Sequence, residues 1–302
     1  MDSDKQFYIL ALDGGGTRGI YSAQILAHIE DTLNIPIRDC FDLIAGTSTG
    51  SIIAGAAATG VPLKDIVELF DVHASTIFPK GRQGLGIFGS KYSQKPLEEV
   101  VRGCLPDVTL GEISAPLLIT SSNISTGGVQ VFKSRYLEEL GEPYVRDRNI
   151  PLVEAILASS AAPSFFDPVQ VGEGLLADGG LWANNPSILA VAEALSKFKR
   201  TVDQIHILSV GTGHPAKMYT PSRSWGLATG WGHRKLVSYF LNLQSLSSTN
   251  MAELILGERY VRLDPEIDDW GLDDTKHLGN LKALADRDFT RRSEEILKMV
   301  RR

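Results

Sequence analysis

Apolar residues fall along this chain in short unbroken runs, separated by longer stretches in which they recur every three or four positions. The first run, Phe7 to Leu12, is apolar at almost every position, as a strand buried on both faces requires. Ile20, Ile25, Leu26 and Ile29 then recur at helical spacing. Read to the end, the pattern predicts strands near residues 7–12, 42–46, 116–122, 129–133, 174–178, 205–210 and 259–263. Helices are predicted near 19–32, 49–59, 63–73, 96–104, 152–161, 186–199, 234–255 and 286–301. This alternation argues for a three-layer α/β/α architecture with a mainly parallel central sheet. Such sheets bind ligands beyond the carboxyl ends of their strands, so chemistry is sought where strands run out into turns.

Three of those turns carry chemistry. Gly46, Thr47, Ser48, Thr49, Gly50 follow the apolar run Leu43, Ile44, Ala45 and precede the small-residue run Ser51 to Ala58. This is the strand, tight turn, helix context of a nucleophile elbow, in which glycines admit close packing and strain lifts the serine hydroxyl out of the sheet. The plainer reading makes Ser48 a helix N-cap between two packing glycines. The first strand runs into Asp13, Gly14, Gly15, Gly16, Thr17, Arg18, Gly19. Its glycines leave amide groups bare at a helix N-terminus, where an acyl-transfer enzyme needs to hold an oxyanion. Gly14, Gly16 and Gly19 also satisfy G-x-G-x-x-G, but the next strand ends in Gly46 and Ser48 rather than in the acidic residue that holds a ribose. A phosphate loop is excluded because no Lys followed by Ser or Thr closes the run. Far downstream, Gly174 to Ala177 lead into Asp178, Gly179, Gly180. A serine needs a base to take its proton, and Asp178 fits that role if burial raises its proton affinity; an ordinary Asp-Gly turn is the alternative.

Together the three segments resemble the patatin-like phospholipase family. Its oxyanion loop matches Asp13 to Gly19, its nucleophile motif Gly46 to Gly50, and its catalytic aspartate Asp178 to Gly180. Ala158 to Pro163, Asn184, Asn185, Pro186 and Ser209 to Gly213 fit as well, so the resemblance spans residues 5 to 213. It implies a Ser–Asp dyad in which Ser48 attacks a fatty-acyl ester and Asp178 accepts the hydroxyl proton. The amides of Gly14, Gly15 and Gly16 would hold the oxyanion, and water would cleave the acyl-enzyme. Arg18 either contacts a substrate phosphate or braces the loop through an internal salt bridge. The chain is further similar to the compact bacterial members that act as antiphage effectors. In that group a cyclic dinucleotide switches on degradation of the cell's own membrane phospholipids.

The competing hydrolase reading is an α/β-hydrolase esterase, whose histidine would be one of His206, His214, His233 and His277 after Asp178. Ser48 comes too early in the chain for that fold. A patatin scaffold kept as a non-catalytic binding module is the alternative from another class. No His or Cys cluster has metal-ligand spacing and no calcium loop is present, so neither metal nor cofactor is expected.

Composition sets the remaining bounds. The chain has 302 residues, 43% of them hydrophobic, enough for a large core, and no linker or repeat interrupts it. A single domain over 1–302 is expected, with its motif-bearing core near 5–213 and a C-terminal helical part near 214–302. Cys40 and Cys104 lie in apolar surroundings as reduced thiols. With no secretory leader and no membrane-length apolar run, a cytoplasmic protein acting at the inner face of the cell membrane is expected. Net charge is −6, which argues against a nucleic-acid polymer as partner. Two segments depart from this acidity. Val72 to Leu97 lacks Asp and Glu and carries Lys80, Arg82, Lys91 and Lys95 among apolar residues and glycines, the marks of a lid or lipid-contact loop. Gln204 to Ala252 is also free of acid, and its Lys217, Arg223, Trp225, Trp231, Arg234 and Lys235 are candidate contacts for a nucleotide messenger or a membrane. A homo-oligomer formed on activation is compatible with this reading.

Overall fold

A computed structural model describes residues 5–80, 89–141, 145–226 and 229–300, without the side chains of His233 and Arg234. The first part holds β1 (Phe7–Leu12), α1 (Gly19–Leu33), α2 (Ile37–Cys40), β2 (Leu43–Gly46), α3 (Thr49–Thr59), α4 (Leu63–Ile77) and α5 (Lys95–Cys104). Next come β3 (Leu117–Asn123), β4 (Gly128–Lys133), α6 (Tyr136–Glu139), α7 (Leu152–Ser159), β5 (Val169–Val171) and β6 (Gly174–Asp178). The chain continues with α8 (Gly180–Ala183), α9 (Ser187–Ser196), β7 (Ile205–Val210), β8 (His214–Pro215) and α10 (His233–Leu256). It closes with β9 (Tyr260–Leu263), β10 (Glu266–Ile267) and α11 (Leu278–Lys298).

The main sheet runs β5-β6-β3-β2-β1-β7-β9, with β4 on the other edge of β3. Five strands, β3, β2, β1, β7 and β9, are parallel, while β4 and β6 pair antiparallel with β3, and β5 with β6. Both faces are covered, which explains why the central strands read as continuous apolar runs. Phe7, Ile9 and Ala11 of β1 point into a core shared with α9 and the end of α10. Leu10 and Leu12 point the other way, into the larger core built with α1, α3, α4, α7 and α11. The expected three layers with a mainly parallel sheet are therefore present. Cys40 and Cys104 are free thiols.

Some elements differ from the sequence expectation. α11 begins at Leu278 rather than near 286. Its first turns bury only Leu278, Leu281 and Ala285, too sparse an apolar signal against their charged neighbours. The short α2, α6, α8, β5, β8 and β10 were not foreseen, since pieces of two to four residues carry no periodicity.

The register along β3 positions the site. β2 runs parallel to β3 and stops at Gly46, opposite Ile119. β6 comes down the same edge from the other direction and stops at Asp178, opposite Ser121. Two strand ends thus meet head to head, two residues apart on β3, and both chains leave the sheet there. At the first, a Cβ on Gly46 would lie 2.4 Å from the Gly50 carbonyl oxygen, and one on Gly50 would lie 2.4 Å from that of Leu12. No side chain fits at either position. Gly50→Ala is therefore expected to lower the melting temperature by several degrees or abolish folding, because the nearest atoms are backbone. Gly103→Ala, at an α5 glycine with open space around it, is expected to stabilise by about 0.5–1 kcal/mol. Thermal unfolding of both variants checks the pair.

Candidate active site

Ser48 occupies the turn between β2 and α3 with φ 52° and ψ −124°, a left-handed conformation that serine rarely adopts. Its surroundings hold it there. The Ser48 amide donates to Ser159 Oγ at 2.8 Å, and the Ser48 carbonyl accepts from Ser51 Oγ at 2.6 Å. Next to it, Thr47 Oγ1 lies 2.7 Å from Thr120 Oγ1 and donates to the Ala183 carbonyl at 2.6 Å, pinning the turn to β3 and α8. The elbow reading thus has its strain, and the plain N-cap reading fails, because the Ser48 side chain makes no cap hydrogen bond.

Asp178 ends β6 and is 5% exposed. Burial pushes its carboxyl up to about 6, partly offset by the Gly180 amide, which donates to it at 2.6 Å, and by the Ser48 hydroxyl, which hydrogen-bonds its charged form. At neutral pH it is therefore an ionised base of raised proton affinity facing the serine.

The glycine loop divides its amides between structure and site. Gly14 donates to the Asn184 carbonyl at 3.2 Å and its own carbonyl accepts from Thr212 Oγ1 at 3.0 Å, so this first glycine is spent on holding the loop. The Gly15 and Gly16 amides have no acceptor among the described residues, and both glycines line the same cavity as Ser48 and Asp178. Upstream, Asp13 is clamped by Arg262, two hydrogen bonds of 2.7 Å each, with Ser245 Oγ at 3.0 Å. Burial raises the Asp13 carboxyl to about 6 against the pull of Arg262, and the pair is ionised at neutral pH.

Arg18 takes the bracing role in a different form from the expected salt bridge. Its Nε donates to Gly15 O at 3.3 Å and a terminal nitrogen to Gly213 O at 3.2 Å, tying the loop to the end of β7, and it has no carboxylate within ion-pair distance among the described residues. It lines a polar pocket beside the catalytic cavity, with Asn184 and Leu241 forming the wall between the two.

Beyond its polar end the catalytic cavity is apolar, walled by Ile52, Leu69, Phe70, Phe78, Phe165 and Phe166 among others. Its volume is about 60 Å³, room for a few water molecules. Part of that wall comes from the basic, apolar segment: Ile77, Phe78 and Leu97 line the cavity, and Lys91 and Tyr92 are fastened to Asp273. Residues 81–88 of the segment, Arg82 included, lie outside the described residues.

The acid-free stretch from Gln204 to Ala252 brings together part of what sequence proposed. Trp225 and Trp231 stack edge to face at 5.3 Å, both against Tyr219, and Lys235 Nζ sits 5.3 Å over the Tyr219 ring while pairing with Asp269. Lys217 and Arg223 are exposed; the Arg234 side chain lies outside the described residues. No described histidine reaches the dyad. His206 stacks on Tyr8, His214 pairs with Asp264 and His277 with Asp274, and the His233 side chain is outside the description. The downstream-histidine reading has no geometry behind it among the described residues, which also hold no cluster of metal-ligating side chains.

Sequence reasoning missed Arg262, and named Ser159 and the bridging Asn184 only as parts of matching segments, without a role. Arg262 had a signal, a lone arginine inside the apolar strand run Tyr260, Val261, Arg262, Leu263. Ser159 had none, because its use depends on α7 ending beside the elbow.

Comparison with known proteins bears out the family that the sequence resembles. The family model described as "Patatin-like phospholipase" matches residues 10–191. A "cGAMP-activated phospholipase" of Escherichia coli (strain TW11681) is 34% identical over 75% of this chain and 69% of its own. A protein with the same description from Vibrio cholerae serotype O1 is 31% identical over 87% of this chain and 82% of its own. A "cUMP-AMP-activated phospholipase" of Escherichia coli is 27% identical over 82% and 77%. The span of the family match and of these relatives, taken with the geometry above, places this chain in the patatin-like phospholipase family.

Proposed function

We propose that this protein hydrolyses fatty-acyl esters of membrane phospholipids through an acyl-enzyme on Ser48, with Asp178 as the base, and that a cyclic nucleotide switches it on. The observation that carries the reading is the strained Ser48 facing a buried carboxylate of raised proton affinity, across a cavity whose far end is apolar. Asp178 takes the hydroxyl proton as Ser48 Oγ attacks the ester carbonyl. The Gly15 and Gly16 amides receive the oxyanion, and the positive end of α3, which starts at Thr49, adds to that field. Collapse returns the proton to the departing alcohol, and water then releases the fatty acid.

The switch rests on two supports. The relatives' names specify cGAMP or cUMP-AMP activation, and Ile77, Phe78 and Leu97 of the basic, apolar segment form part of the cavity wall. The segment around Lys91 and Tyr92 is the part proposed to move, and the aromatic and cationic surface of Trp225, Trp231 and Lys235 is proposed to meet the messenger or the membrane. Arg18, with hydrogen-bonding capacity left over in a polar pocket, is proposed to contact a phosphate. The protein is proposed to act from the cytoplasm on the inner leaflet. No helix among the described residues is long and apolar enough to cross a membrane.

Three outcomes are expected. Ser48→Ala and Asp178→Asn each reduce fatty-acid release from phospholipid vesicles at least about 10³-fold while the fold is kept. Because the ionised Asp178 is the active form, kcat/KM on a soluble ester rises with pH through about 6 and then levels; a profile flat down to pH 4.5 would contradict its role as base. In a panel of cyclic nucleotides one member raises wild-type release at least tenfold, and equal release with and without every member removes the switch.

A further inference from the structure

Three polar atoms that line the catalytic cavity are buried with no hydrogen-bond partner among the described residues: Thr49 Oγ1, Ser160 Oγ and Asn184 Oδ1. Their residues are 4%, 6% and 6% exposed. Buried polar groups are paired almost without exception, so each of these calls for an explanation. Thr49 Oγ1 faces the start of α1, where a Cβ on Gly19 would lie 2.5 Å from it and 3.1 Å from Phe70. The other two belong to the dyad side.

The orientation of Asn184 is fixed by its partners. Its amide nitrogen donates to Ser245 Oγ at 2.9 Å and points at the Gly14 carbonyl at 3.4 Å; that carbonyl can only accept, so the nitrogen must face it. Oδ1 is thereby turned to the site as an acceptor. A Cβ placed on Gly14 would lie 2.5 Å from Asn184 Oδ1 and 3.0 Å from Ser48 Cβ. One placed on Gly180 would lie 3.0 Å from both Asn184 Oδ1 and an Asp178 carboxylate oxygen. The two glycines border one small space edged by Asn184, Ser48 and Asp178. Ser160 follows Ser159, whose hydroxyl holds the Ser48 amide, and so reaches the cavity from the α7 side.

We propose that Asn184 and Ser160 hold the water that cleaves the acyl-enzyme. The proposal rests on the Ser48–Asp178 reading and adds the residues that deliver the second substrate. The water donates one hydrogen to Asn184 Oδ1 and the other to Asp178, and accepts from the Ser160 hydroxyl, the three partners a buried water commonly has. Its remaining lone pair faces the acyl carbon on Ser48. The water oxygen forms the new bond to that carbon as Asp178 takes its proton, and the carbonyl electrons move to the oxygen held by Gly15 and Gly16. Collapse then breaks the bond to Ser48 Oγ, which takes the proton back from Asp178 and leaves a free fatty acid. Asn184 Oδ1 bonds only to the water, so this oxygen serves deacylation and not the first attack, while the amide nitrogen keeps its bonds to Ser245 and Gly14.

The test is pre-steady-state hydrolysis of p-nitrophenyl butyrate, run under the nucleotide condition in which wild type turns over fastest, with acyl-enzyme followed by intact-protein mass spectrometry. Asn184→Leu is expected to keep a p-nitrophenol burst approaching one per enzyme, to accumulate acyl-enzyme and to turn over at least tenfold more slowly. Ser160→Ala, which breaks no hydrogen bond of the fold, shifts kinetics the same way by a smaller factor. If Asn184→Leu slows burst and turnover equally with no acyl-enzyme, Asn184 merely braces Gly14 and the proposal falls. Undiminished turnover in Ser48→Ala would instead remove the dyad beneath it.

Discussion

Everything at the site depends on two strands sharing one edge of β3. Parallel β2 and antiparallel β6 occupy successive stretches of that edge and terminate facing each other at Gly46 and Asp178, opposite Ile119 and Ser121. A residue of β-strand rises about 3.3 Å, so a two-residue offset on β3 brings the two strand ends close together, and Ser48 and Asp178 line one cavity. Their side chains are held by backbone register and by the Thr47 and Ser159 hydrogen bonds rather than by flexible loops. The sheet itself therefore orients Asp178 toward Ser48.

Electrostatics follow from that burial. With 5% of its surface exposed, Asp178 loses enough hydration to raise its proton affinity, yet the Gly180 amide and the Ser48 hydroxyl keep it ionised at neutral pH. The glycine loop faces the opposite demand, since it must present bare amides without collapsing onto the serine. Arg262 meets it from β9 by gripping Asp13, and Arg18 and Thr212 hold the carbonyls of Gly15 and Gly14 turned away from the cavity. A late strand thus supports a loop some 250 residues earlier in the chain.

The central strands and the turns that carry Ser48 and Asp178 were legible because local chemistry specifies them. β1, β6 and β7 are apolar runs with sharp glycine or aspartate ends, and the elbow's glycines are dictated by contacts under 3 Å. Two parts of the site were not legible, for a shared reason. That Gly14 spends its amide on Asn184 while Gly15 and Gly16 keep theirs depends on where α8 ends, and the use of Ser159 depends on where α7 ends. Both are meetings of distant segments, and no sequence window contains them. The short β5 and the early start of α11 escaped for the lesser reason that few of their positions are buried.

Labelling with a fluorophosphonate that mimics the tetrahedral intermediate, followed by peptide mass spectrometry, tests the central claim most directly. The account predicts a single adduct on Ser48, formed at a rate that falls when Asp178 is replaced by Asn. An adduct on any other serine of an active preparation, or labelling of Ser48 that is indifferent to Asp178, would contradict it.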